Sequence, residues 1–243
     1  MRKKGKLVIV DGIDGSGKGT LIYALEKWAE KKGMKVFNIV NYEKKHHDLP
    51  EMKQLKDYQV IVSAEPTHSL VGRAIREEII RRNPRSYSPK ALAHAYALDR
   101  YILYNRIHIP ALKAGKFIFQ ERGVTSSIVY QPTYSKKLPL KYIMGIHGNK
   151  IAIEHRPDLL CVLRVNPSEA IKRLSKRSKQ DKAVFENVKF LTKAQKRFEA
   201  KWFHELFIKL GTRVEMINTK GTIIESTERI VQIWEDFIKT RTS

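Results

Sequence analysis

Lys6-Leu7-Val8-Ile9-Val10-Asp11-Gly12-Ile13-Asp14-Gly15-Ser16-Gly17-Lys18-Gly19-Thr20 decides how the rest of this sequence is read. The apolar, β-branched run Lys6–Asp11 reads as a strand. It ends in a glycine-rich turn and passes into an amphipathic helix pattern carrying Leu21, Leu25, Trp28 and Ala29. From Gly12 to Lys18 the spacing is G-x-x-x-x-G-K, that of a phosphate-binding loop. Glycines let such a loop fold tightly, so that successive N–H groups turn inward onto phosphate oxygens. The helix N-terminus adds the positive end of its dipole, and Lys18 adds a mobile charge for β- and γ-phosphates. Candidate contacts to a nucleoside triphosphate are Gly12, Asp14, Gly15, Ser16, Gly17, Lys18, Gly19 and Thr20. The position after the lysine normally holds a hydroxyl that ligates Mg2+. Here it is Gly19, with Thr20 one residue further on, so the metal is expected mostly on phosphates and water with a carboxylate nearby.

Beyond this stretch, apolar runs alternate with helical patterns, which argues for a mostly parallel sheet with crossover helices. The other strand candidates are Lys35–Val40, Tyr58–Ala64, Lys116–Gln120, Asp158–Val165 and Thr212–Ile217; helices are expected after Gly17, Ser69, Ser88, Pro167, Val184 and Thr222. Ser88-Pro89 has the form of an N-cap followed by proline at the first helical position. Residues 1–243 read as a single domain. Two stretches fall outside a minimal α/β unit: 41–57, with His46-His47 and Pro50, and 131–156, with Pro132, Pro139, Gly145 and Gly148. Both are expected to be surface insertions, with room for short helices. His46 and His47 are read as loop histidines, since neighbours on an extended segment point to opposite sides.

The charge is unusual. Lys+Arg number 47 against 25 Asp+Glu, a net +22, so anionic partners are expected: nucleotides, nucleic acid or acidic lipid. The one cysteine, Cys161, cannot form an internal disulfide or a Cys-built zinc site, which points to a reducing, cytoplasmic setting. Apolar runs are far shorter than the roughly 18 residues of a spanning helix. The basic start Met1-Arg2-Lys3-Lys4 lacks a long enough apolar run behind it for a signal peptide.

Further motifs sit at the carboxyl ends of strand candidates, where open α/β sheets bind ligands. They are Glu65-Pro66-Thr67 with Gly72-Arg73 and Arg76 after it, and Glu121-Arg122 with Ser126, Ser127, Tyr130 and Gln131 after it. The helix Ala95-Tyr96-Ala97-Leu98-Asp99-Arg100, Pro157-Asp158-Leu159 and Phe185-Glu186…Phe190-Leu191 complete the set. In this order and spacing the chain resembles the thymidylate kinase family of nucleoside-monophosphate kinases, from Lys6 to about Lys209.

The resemblance implies a three-layer α/β P-loop NTPase fold, with a five-stranded, mostly parallel sheet and a short basic lid at about 172–186. It implies phosphorylation of dTMP to dTDP by ATP with Mg2+, as a step of dTTP synthesis, by a homodimer with no membrane partner and no need of nucleic acid. Catalytic roles fall to Lys18, Arg122, Arg173 and Arg177, the last two because Gly15-Ser16 leaves the loop without the arginine that some relatives carry. Asp14 matches the carboxylate that faces the sugar 3′-hydroxyl, Tyr96 the aromatic stacked on the pyrimidine, and Arg100 the arginine on its edge; four apart, the last two share a helix face. Arg122 matches the acceptor-phosphate arginine, with Arg73 a second candidate. Glu65, Pro66, Ser126 and Ser127 would line the acceptor pocket, and Tyr130 would crowd the 2′ position. Glu121 and Thr20 are the candidate metal residues. The family normally has Asp-Arg-Tyr where this chain has Glu121-Arg122-Gly123, so packing around the acceptor is expected to differ.

Two other readings stay open. A deoxynucleoside kinase, or a kinase of another deoxynucleoside monophosphate, carries similar Glu-Pro and Glu-Arg segments. The deoxynucleoside kinases read the base with a glutamine, and Ser88–Ile107 has none. A basic nucleic-acid-binding protein would interleave aromatics with Lys and Arg on one face. Phe185, Phe190, Phe198, Trp202 and Phe203 instead follow a core spacing.

Overall fold

Leu7 and Ile9 face one side of the first strand and Val8 and Val10 the other, and both sides are buried. This demands helices on both faces of the sheet. The computed structural model, which describes residues 5–81, 85, 87–176 and 187–240, has them. In chain order the elements are β1 (Lys6–Gly12), α1 (Lys18–Lys31), β2 (Val36–Asn38), α2 (Ile39–His46), β3 (Val60–Ala64), α3 (Leu70–Ala74), α4 (Pro89–Leu103), α5 (Ile109–Lys113), β4 (Phe117–Glu121), α6 (Val124–Tyr134), α7 (Leu140–Gly145), α8 (His147–Glu154), β5 (Leu159–Arg164), α9 (Pro167–Ser175), α10 (Val188–Phe198), α11 (Lys201–Lys209), β6 (Arg213–Asn218) and α12 (Ile223–Lys239). A π turn at Ile75–Ile79 follows α3, and another at Tyr104–His108 joins α4 to α5.

The strands form one parallel sheet in the order β2-β3-β4-β1-β5-β6. There are six strands where five are expected, because the three-residue β2 pairs at one edge and β6 at the other. On one face α1 and α12 pack over Val8, Val10, Val62, Phe119 and the buried Cys161, with Trp28 edge-on to Trp234 at 5.8 Å. The other face holds Leu103, Tyr104, Ile128, Leu191, Phe198 and Phe203 against Leu7, Ile9 and Ile118. The chain builds β2, β3 and β4 on one side of β1, then crosses to build β5 and β6 on the other. The carboxyl ends of β1 and β4 thus lie side by side at the reversal, where such sheets open a crevice.

The two expected insertions carry helices. Residues 41–57 hold most of α2 and a 3-10 turn at Met52–Leu55; Ile39, Leu49 and Leu55 join the core, so this segment covers the β2–β3 flank. His46 ends α2 against the ring of Tyr42, and His47 is its left-handed C-cap. Residues 131–156 hold the end of α6, then α7 and α8. Pro132 sits inside α6 and cannot donate to the carbonyl of Ile128, but the Arg197 guanidinium of α10 donates to it instead at 3.2 Å. Among the described residues no helix is long and apolar enough to cross a membrane. Arg177, Phe185, Glu186 and most of the expected lid lie outside the described residues.

Candidate active site

Gly17, left-handed at φ 95°, turns the chain from the loop into α1, whose N-terminus carries no side-chain cap. Its first amides are left for a ligand. Gly15 is equally constrained: a side chain there would run into the Ala170 carbonyl of α9. That contact leaves no room for an arginine side chain at position 15 as the loop and α9 stand. Lys18 is buried and donates to the carbonyls of Gly12 (3.2 Å) and Ile13 (2.8 Å). Burial, and then the charge of Arg122, lower its ammonium to about 8. Ser16 is buried, and its hydroxyl has no partner among the described residues.

Hydrogen bonds between strand ends bring the separated motifs together. The Arg122 amide donates to the Val10 carbonyl at 3.0 Å, and the Glu65 amide to that of Glu121 at 3.0 Å. β1, β3 and β4 therefore present Asp11, Glu65, Glu121 and Arg122 at one rim. The Arg122 guanidinium donates to Asp14 and, at 3.3 Å, to Ser126 Oγ, and lies 5.5 Å over the Tyr130 ring. The Tyr130 hydroxyl donates to Asp14 Oδ2 at 3.2 Å. Asp11, buried and raised by that burial above the ordinary carboxylate range, accepts from Thr125 (2.5 Å) and Ser126 (2.8 Å), pinning α6 to the end of β1. The Ser126 hydroxyl is thus held by the protein rather than left open to a ligand.

Behind this rim lies a buried array. Glu65, 3% exposed, pairs with Arg100, 1% exposed, at 2.6 Å. Arg100 also donates to Ser127 Oγ at 3.2 Å and to Asn149 Oδ1 of α8. The Gln120 amide nitrogen donates to Glu65 (2.9 Å) and to the Arg122 carbonyl (2.7 Å). Burial raises the Glu65 carboxyl to about 7, and Arg100 opposes that rise. Gly123 belongs to the same arrangement, since a β-carbon there would lie 2.9 Å from Ile9 and 3.2 Å from Gln120. The departure at Gly123 is therefore matched to Gln120 and not a loosened wall.

These groups line one cavity of about 640 Å3. Of the residues singled out in the sequence, Asp14, Gly15, Gly17, Lys18, Gly19, Glu65, Pro66, Tyr96, Arg100, Glu121, Arg122, Ser126, Ser127 and Tyr130 line it. Gly12 and Ser16 belong to the loop behind. Three other expected contacts do not line the cavity. Arg73 is half-buried and pairs with Glu77 at 2.9 Å, while Arg76, held on the Pro66 carbonyl at 2.8 Å, takes the lining position. Thr20 is exposed on α1. Arg173 donates to Glu169 (3.1 Å) and to the Thr219 carbonyl (2.9 Å).

Asn149 and Gln120, which bond Arg100 and Glu65, were not legible in the sequence. The one signal for Asn149 is Gly148 before it, a glycine that lets α8 lie directly on the Ala97 carbonyl of α4. Among the described residues no three His, Cys, Asp or Glu side chains gather to hold a metal. Glu121 Oε2, however, would lie 3.2 Å from a β-carbon at Gly19. A carboxylate thus stands where the loop lacks its usual hydroxyl, which suits a hard cation carried mainly by phosphates.

The thymidylate kinase family model matches residues 46–230. Thymidylate kinase of Prochlorococcus marinus (strain MIT 9312) is 31% identical over 206 residues, covering 82% of this chain and 86% of that protein. A thymidylate kinase of Caldicellulosiruptor saccharolyticus is 29% identical over 241 residues, 98% of this chain and all of that protein. A probable thymidylate kinase of Pyrobaculum calidifontis is 32% identical over 188 residues, 77% and 78% of the two chains.

Proposed function

Because the chain belongs to the thymidylate kinase family, we propose that its cavity carries dTMP and the phosphates of ATP together and passes the γ-phosphoryl group to the dTMP phosphate, giving dTDP. The observation that carries this reading is the shared cavity: a phosphate loop with Lys18 at one end and the Glu65–Arg100 array at the other, with Arg122 between them. The loop amides and Lys18 hold the donor phosphates, with Gly12, Ser16, Gly17 and Gly19 shaping the backbone around them. Tyr96 stacks on the pyrimidine, and Arg100 reads its edge. Asp14 accepts from the 3′-hydroxyl, and Tyr130 crowds the 2′ position. Arg122 exchanges its hold on Asp14 and Ser126 for the acceptor phosphate, where a guanidinium can bond two oxygens at once.

Phosphoryl transfer is catalysed mainly by positioning and positive charge. Lys18, Arg76 and Arg122 bring that charge inside the cavity. Arg173, engaged by Glu169 and Thr219, serves transfer only if it leaves those partners. Mg2+, when bound, neutralises charge on the transferring phosphates, and Glu121 is the side chain that would hold it. A homodimer is proposed on the family resemblance alone, and cytoplasmic action on the single, buried, unpaired Cys161.

A panel assay tests the reading. With ATP and Mg2+, dTMP is expected to turn over faster than dUMP, other deoxynucleoside monophosphates or thymidine. Turnover of thymidine without turnover of dTMP would overturn it in favour of a deoxynucleoside kinase.

A further inference from the structure

The turn after β3 carries Glu65, and two buried carboxylates on different helices accept hydrogen bonds from it. From α4, Asp99 accepts from the Thr67 amide (2.8 Å) and the Thr67 hydroxyl (2.6 Å). From α2, Glu43 accepts from the His68 amide (2.9 Å) and the Ser69 hydroxyl (3.2 Å). Glu43 is 1% exposed and does not line the cavity. Ser69 holds the N-cap position of α3, yet its hydroxyl does not cap that helix. The hydroxyl goes to Glu43 instead, and further along the same segment Arg76 returns to the Pro66 carbonyl at 2.8 Å.

We propose that Glu43 is a positioning residue for the acceptor nucleotide: from α2 it fixes the turn 65–69, and through that turn the Glu65–Arg100 pair. This rests on the reading of the cavity as an acceptor site. The placement is costly, since burial raises the Glu43 carboxyl to about 7. An apolar side chain of similar size would fill the same space without that cost. A residue serving packing alone has no need of the carboxylate, whereas one that holds two donors of a binding turn does.

Glu43→Leu keeps the bulk and removes both bonds. It is expected to raise the acceptor KM about tenfold, the weight of a charge-assisted hydrogen bond, with kcat and donor KM changing less than about twofold. Glu43→Gln keeps an acceptor oxygen and is expected to stay within about threefold of wild type. Deuterium exchange gives a readout that needs no turnover: the 67–69 amides are expected to exchange about tenfold faster in Glu43→Leu, with β1 and β5 unchanged. Wild-type acceptor KM and wild-type exchange in Glu43→Leu would overturn the proposal. If that variant fails to fold, Ser69→Ala removes one of the two bonds and is expected to raise acceptor KM about threefold; no rise overturns the proposal equally. If the wild type does not turn over dTMP, the functional reading falls, and the exchange experiment still decides the role of Glu43.

Discussion

Lys18 is buried and sits near the charge of Arg122, so its ammonium is held at about 8, against 10.5 for a free lysine, while it donates to two carbonyls of its own loop. Donor phosphates replace the carbonyls with full negative charges, which favour the protonated form. Near pH 9 the free protein is therefore largely deprotonated at Lys18 and the ATP complex largely protonated. ATP binding is expected to take up close to one proton there and almost none at pH 7, measured by calorimetry in buffers of different ionisation enthalpy. Lys18→Ala is expected to abolish the uptake and to lower kcat by about 10²–10³, the scale of losing one preorganised positive donor. Uptake that persists in Lys18→Ala would assign the proton to another group. At this scale the loop, Asp14, Arg122 and Tyr130 were legible, because a short motif fixes their spacing. Arg73 and Arg76 could not be told apart: three residues apart they share a face on an unbroken α-helix, and the π turn beginning at Ile75 changes the winding between them.

Elements flanked by strong local signals were read correctly. The β1–loop–α1 unit, the Ser88-Pro89 start of α4 and the start of α12, where Thr222 and Glu225 form a capping box, each carry their own caps or periodicity. α7 and α8 were not, because Pro132, Pro139, Gly145 and Gly148 read as loop punctuation. In the fold two of these breakers are made tolerable by partners: Arg197 on the Ile128 carbonyl for Pro132, and the close approach of α8 to α4 for Gly148. Such compensation comes from elements distant in sequence, so no local pattern reveals it. The α8–α4 contact has a consequence for the site, since Asn149 reaches Arg100 only across it. Gly148→Ala is expected to push α8 outward, costing about 1–3 kcal/mol of stability, and to raise acceptor KM with donor KM unchanged. A variant with wild-type melting temperature and acceptor KM would show that the two helices need no such approach.

Across the whole molecule, the net charge of +22 exceeds what the site uses. The cavity is lined by Lys18, Lys27, Lys44, Arg76, Arg100 and Arg122, and Lys18, Arg76, Arg100 and Arg122 are each held by a carboxylate or a carbonyl. The rest is surface charge whose mutual repulsion opposes folding at low ionic strength. Many surface cations do have a carboxylate neighbour, as in Lys150–Glu154 at 3.9 Å and Arg85–Glu78 at 2.5 Å, but exposed pairs of this kind contribute little. Repulsion spread over the whole surface therefore dominates the salt response. Raising KCl from about 0.05 to about 0.5 M shortens the screening length from roughly 14 to roughly 4 Å. The melting temperature is expected to rise, while the KM values for both nucleotides rise too, because the same screening weakens attraction of their phosphates. The two trends separate the contributions: stability follows the surface surplus, and affinity follows the cavity cations. A melting temperature that falls with KCl would mean that the surface ion pairs outweigh the repulsion, and the surplus would then need a bound polyanion to explain it.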